Sequence, residues 1–124
     1  MDLQVSGKVA LITGSNRGIG KATAITLSKE GVNIALLARN KDLLAQTKKE
    51  ISEISPNIKV EYFICDTKSN DEVQETVENI EKTFGTIDIL VNCAAALPED
   101  STIENFDDKK LFEQIEVKVA GYIR

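Results

Sequence analysis

The stretch VALITGSNRGIG, from Val9 to Gly20, places Gly14, Gly18 and Gly20 within seven residues, directly after an apolar run. A turn needs one glycine or two; a third implies that something comes very close to the backbone. Where a strand runs into a helix, the first backbone N–H groups of the helix and its positive dipole end face the intervening loop. That arrangement binds anions, and it suits a pyrophosphate. Gly14 then permits the tight turn, Gly18 lets phosphates approach the backbone, and Gly20 lets helix and strand pack closely. A kinase-type phosphate loop fails on spacing. Gly20-Lys21 is followed by Ala22 where Ser or Thr is required, and the position five before Gly20 is Ser15. The pattern is T-G-x-x-x-G-x-G rather than G-x-G-x-x-G. The chain contains no histidine, which removes His-based metal sites and Ser-His or Cys-His catalysis.

The elements that must position this loop alternate along the chain. KVALIT (Lys8 to Thr13) is a short apolar run without alternation, as expected of a strand buried on both faces. A helix follows from Gly18 to about Glu30 and stops at Gly31. NIALLA (Asn33 to Ala38) is a second strand; Leu43, Leu44, Thr47, Ile51 and Ile54 then keep helical spacing until Pro56-Asn57. IKVEYFIC (Ile58 to Cys65) is a third strand, and Val73, Val77, Ile80 and Phe84 mark the apolar stripe of a helix ending before Gly85. IDILVN (Ile87 to Asn92) is the fourth strand.

Strand and helix in alternation, with buried strands, predict an α/β fold: a doubly wound parallel sheet of Rossmann type, order 3-2-1-4, flanked by helices. In that order Cys65 and Cys93 stand three strand spacings apart, roughly 14 Å. A disulfide needs Cα atoms within about 7 Å, so two free thiols are expected. Beyond AALPEDSTIENF, the residues Leu111, Phe112, Ile115, Val119, Tyr122 and Ile123 sit on helical spacing, and the stripe is still running at Arg124. A four-strand sheet also leaves strand four as an edge. Both features point to residues 1–124 being the dinucleotide-binding domain of a longer protein.

The chain has 124 residues, 42% hydrophobic and 28% charged, the balance of one ordinary globular domain. A net charge of −5 argues against nucleic-acid binding. No apolar run approaches the ~20 residues of a membrane span, and MDLQVSGKVA lacks the pattern of a signal peptide, so a cytoplasmic location is expected.

The segment Thr13-Gly14-Ser15-Asn16-Arg17-Gly18-Ile19-Gly20 resembles the cofactor-binding motif of the short-chain dehydrogenase/reductase family, and matches it in full. CDTKS places Asp66 at the end of strand three, where members of that family hold the adenine ring, with Thr67 behind it. DILVNCAAA is similar to the family's Asn-Asn-Ala-Gly motif after strand four, but reads Asn92-Cys93-Ala94-Ala95, so the second Asn and the Gly are replaced. The resemblance spans the chain and covers the first half of a typical member. It implies Gly14, Ser15, Asn16, Arg17, Gly18, Ile19, Gly20, Arg39, Asp66, Thr67, Asn92 and Ala94 as cofactor-binding residues. It also implies hydride transfer to or from a small-molecule carbonyl or alcohol, and a homo-oligomer.

An acidic residue ending strand two would bind the ribose 2′-hydroxyl of NAD and repel a 2′-phosphate. That position is the neutral Ala38. Arg39 follows at once and Arg17 lies in the glycine loop; two guanidiniums can clamp a phosphate, so NADP is expected over NAD. The family's catalytic tyrosine precedes a lysine by four positions, and no Tyr-x-x-x-Lys exists here. Tyr62 is followed four on by Asp66, and Tyr122 lies two residues from the end. No catalytic residue is therefore assigned. Lys118, three before Gly121, stands where members carry a relay asparagine; it is either part of a modified relay or a solvated helix residue. Three functions fit these residues. One is the cofactor half of an NADP-dependent reductase, one a non-catalytic dinucleotide-binding module, and one a truncated product that self-associates.

Overall fold

The structure is a computed structural model that describes residues 2–94, 108–117 and 121–123. Strands and helices alternate as β1 (Val9–Thr13), α1 (Gly18–Lys29), β2 (Asn33–Ala38), α2 (Lys41–Ile54), β3 (Val60–Ile64), α3 (Asn70–Phe84) and β4 (Ile89–Asn92). Helix α4 (Asp108–Ile115) and the short α5 (Gly121–Ile123) follow. The four strands form one sheet in the order β3-β2-β1-β4, with every pair parallel. The doubly wound order expected from the sequence is the one observed.

Burial explains why these runs are strands. Parallel strands joined by crossover helices are covered on both faces, so β1 and β2 lose the polar alternation of a half-exposed sheet. Ala10, Ile12, Ile34 and Leu36 face Ala24, Leu44 and Ile51 on one side. Leu11, Ala35 and Leu37 face Cys65 and Ile80 on the other. Each fully buried Leu or Ile contributes about 1.5–3 kcal/mol of burial free energy, and Ile12, Ile34, Leu36, Leu44, Ile51 and Ile80 are all sealed from solvent. The covering helices start where capping dictates. Asn40 accepts the Leu43 N–H at 3.1 Å to open α2, and Ser69 accepts the Glu72 N–H at 3.3 Å to open α3.

The outer strands differ from expectation in length and exposure. Lys8, Ile58 and Ile87 lie outside the strands, although Ile58 and Ile87 still pack on the core. β3 ends at Ile64, one residue before Cys65, whose N–H nevertheless donates to the Ala38 carbonyl at 2.9 Å. Along β4 half-buried residues alternate with exposed ones. Leu90, opposite Leu11 in register, is 56% exposed. In α2 the buried residues are Leu44, Thr47 and Ile51, while Leu43 and Ile54 are exposed. In α3 Ile80 is sealed and Val73 and Phe84 pack beside it, but Thr76 shares the buried face.

Leu111, Phe112 and Ile115 do lie on one helix, α4, and all three are exposed. Val119, Lys118, Ala95 and the loop to Phe106 fall outside the described residues. Tyr122 anchors α5 by donating its hydroxyl to the Ala94 carbonyl at 2.8 Å. Cys65 and Cys93 are free thiols, as the strand order required.

Candidate dinucleotide-binding site

All four strands run the same way, so their C-terminal ends open onto one edge. The chain leaves β1 toward β2 on one side, and β4 returns on the other; a crevice forms at that switch point. It measures about 870 Å³. Gly14, Asn16, Arg17, Gly18, Ile19 and Gly20 line it from the β1–α1 loop. Arg39 lines it from the turn after β2, Asp66 and Thr67 from the turn after β3, and Ala94 from the segment after β4. The tertiary structure thus brings together residues scattered over eighty positions of sequence.

The three glycines have separate physical reasons. Gly14 has φ +62°, and a Cβ there would stand 2.5 Å from the Cys93 carbonyl oxygen. It therefore admits the backbone of the segment after β4 as well as the turn. A Cβ on Gly20 would strike the Gly14 carbonyl, so α1 can lie against the loop only with glycine there. Gly18 has φ +58°, and a Cβ there would meet nothing within 4 Å. Its constraint is the left-handed backbone alone, and its open side faces the cleft. Thr13 completes the frame. Its buried hydroxyl accepts the N–H groups of Cys93 at 3.0 Å and Ala94 at 3.1 Å, fixing the β4 end to the glycine loop.

Ser15 and Asn92 stand elsewhere. Ser15 is fully buried, with its hydroxyl accepting the Leu37 N–H at 3.0 Å, and it does not line the cleft. Asn92 ends β4, and its side-chain amide donates to the Tyr122 carbonyl at 3.5 Å. Asp66 does border the cleft, and its carboxylate shapes its own turn by accepting the Lys68 N–H at 3.0 Å. Its backbone N–H donates to Glu72 at 2.8 Å.

Arg17 immediately precedes α1 with extended backbone and makes no side-chain cap. Arg39 sits between the end of β2 and the Asn40 cap of α2. Both are exposed, and neither side chain has a hydrogen-bond or ion-pair partner among the described residues. Two guanidiniums without a partner among the described residues thus border one glycine-lined crevice.

Sequence reasoning did not place Cys93, Leu43 or Val117 on the wall, yet all three line it. Leu43 carried a signal, an apolar side chain in the first turn of α2 on the side away from the sheet. Cys65 lines the wall too, and burial pushes its thiol pKa upward; the Thr76 hydrogen bond opposes this, while Glu72 and Asp66 reinforce it.

Sheet order, switch-point crevice and glycine loop define a nucleotide-binding α/β unit of the doubly wound class. The short chain dehydrogenase family model matches residues 8–124, and the chain belongs to that family. An uncharacterised oxidoreductase of Staphylococcus saprophyticus is 37% identical over 119 residues, which are 96% of this chain and 50% of the relative. L-sorbose reductase of Gluconobacter frateurii, solved with NADPH and L-sorbose, superimposes with a TM-score of 0.87 at 36% identity. The match covers 99% of this chain and 46% of the reductase. An NAD+-bound xylitol dehydrogenase gives 0.88 at 30% identity, covering 97% of this chain and 45% of that one. The chain spans about half the length of the curated relatives it matches. Among the described residues, no helix is long and apolar enough to cross a membrane.

Proposed function

We propose that residues 1–124 form the cofactor-binding domain of an NADP-dependent oxidoreductase acting on a small-molecule carbonyl or alcohol. One observation carries the preference for NADP: Arg17 and Arg39, both without a side-chain partner among the described residues, border the same crevice. The residues fit such a group. Gly18 leaves its side of the loop open, and the start of α1 presents backbone N–H groups to a pyrophosphate. Ala38, 8% exposed at the end of β2, carries no charge to repel a 2′-phosphate. When bound, NADP supplies a hydride donor or acceptor. The chain's own residues would hold it: the glycine loop and Arg17 the pyrophosphate, Arg17 and Arg39 the 2′-phosphate, and Asp66 and Thr67 the adenine end. Thr13 keeps Cys93 and Ala94 fixed at the opposite wall.

The sequence holds no Tyr-x-x-x-Lys, so this chain is expected to bind cofactor without turning over a carbonyl substrate. Titration of the protein with NADPH and with NADH, followed by cofactor fluorescence, tests the assignment. Arg39→Asp should weaken NADPH binding by about tenfold or more and leave NADH binding nearly unchanged. Equal losses for both would remove the 2′-phosphate assignment. The exposed apolar residues of β4 and α4 support self-association of this chain.

A further inference from the structure

Two buried hydroxyls tie the glycine loop to the β2–α2 arm, and neither lines the cleft. Ser15 is completely buried and exchanges two hydrogen bonds with one residue of β2. Its N–H donates to the Leu37 carbonyl at 3.4 Å, and its Oγ accepts the Leu37 N–H at 3.0 Å. Thr47 of α2 is also completely buried; its hydroxyl donates chiefly to Leu43 at 3.0 Å and more distantly to the Asn16 carbonyl at 3.5 Å. Leu37 lies two residues before Arg39, and Ser15 two residues before Arg17. This pair of hydrogen bonds between Ser15 and Leu37 therefore links the two segments that carry the guanidiniums.

We infer that Ser15 is a positioning residue for dinucleotide discrimination: through Leu37, it holds the Arg17 loop and the Arg39 turn at the separation a 2′-phosphate requires. This rests on the NADP assignment above and deepens it. A hydroxyl that contacted cofactor phosphate directly would serve NAD and NADP alike. One that registers two arginine-bearing segments matters more for NADP than for NAD, because only the 2′-phosphate engages both arginines. The Ser15 side chain is an acceptor facing a backbone N–H inside the protein, so removal leaves that N–H without its side-chain partner and weakens the link between the two segments to the longer backbone bond alone.

The test compares Ser15→Ala and Thr47→Val with Ser28→Ala. Ser28 is a buried hydroxyl of α1 that bonds the Ile25 carbonyl at 2.7 Å and Ser55 at 3.0 Å, away from the crevice. Each variant is measured for NADPH and NADH binding and for amide hydrogen exchange at Leu37. Ser15→Ala should weaken NADPH binding about five- to tenfold, change NADH binding less than about twofold, and speed exchange at Leu37. Thr47→Val should move NADPH binding the same way by less, and Ser28→Ala should not alter the ratio of the two affinities. Equal loss for both cofactors, or an unchanged ratio, overturns the inference while leaving the NADP assignment standing. Failure of the unaltered protein to prefer NADPH removes that assignment instead. If Ser15→Ala does not fold, Thr47→Val carries the same comparison, and an unchanged ratio in it also overturns the inference.

Discussion

At the scale of single residues the two cysteines separate by environment. Both line the cleft, but Cys65, just after β3, is buried and its raised pKa makes it a poor nucleophile at neutral pH, whereas Cys93 is half-buried. Iodoacetamide should modify Cys93 first, and saturating NADPH should slow that reaction, read by peptide mass spectrometry. Unchanged labelling with NADPH would place the cofactor away from this wall. Cys65 also makes a pH prediction whose sign is fixed. Its folded-state pKa is raised above its ordinary value, so the unfolded chain loses the proton first. The stabilising contribution is complete below the ordinary thiol pKa and is lost as pH rises through the folded-state value. Urea midpoints followed from neutral pH to about pH 10 should fall more steeply for the unaltered protein than for Cys65→Ala; parallel curves would contradict this. The glycine spacing was legible because each glycine answers a local backbone demand. The roles of Ser15 and Asn92 were not, since their partners, Leu37 and Tyr122, lie far along the chain and only the folded register shows them.

At the scale of elements, the β1–α1 turn makes the glycines unequal. Gly18→Ala should cost about 1–2 kcal/mol, the price of a left-handed alanine, because its Cβ meets open space. Gly14→Ala adds an overlap with the Cys93 carbonyl and should cost about 3 kcal/mol or more, displacing the β4 end. Urea unfolding of both variants separates the two effects, and equal losses would mean that the turn, not the packing, sets both. Asn40→Ala should cost about 1 kcal/mol through its lost cap and loosen the turn that carries Arg39. The central strands were legible because burial on both faces leaves an unbroken apolar run. The outer strands were overdrawn: Ile58 and Ile87 are apolar for packing against the core, not for sheet pairing. Thr76 shares the buried face because a small residue with a methyl group can join it without extending the apolar stripe.

At the scale of the whole molecule, the fold class followed from alternation and handedness, and the order β3-β2-β1-β4 came with it. The sequence marked strand four as an edge and the last helix as carrying an unfinished apolar stripe, and Leu90, Leu111, Phe112 and Ile115 are indeed exposed. Spacing alone did not single out these side chains, because a helical stripe is the same whether or not something covers it. These residues should draw copies of the chain together at high concentration. Sedimentation at rising concentration should show association that Leu90→Lys and Phe112→Glu relieve; a monomer at every concentration would exclude it.

The bond from Cys93 to Thr13 joins positions 80 apart, whereas Ser15 meets Leu37 across 22. Chain closure over the longer span is slower and costs more entropy. The β1–β2 side of the crevice is thus closed by the shorter chain span, and the β4 wall by the longer and entropically costlier one. Recovery of the NADPH fluorescence response in a refolding chain should therefore follow the joining of β4 to β1 rather than the appearance of helix; recovery in step with helical signal would contradict this.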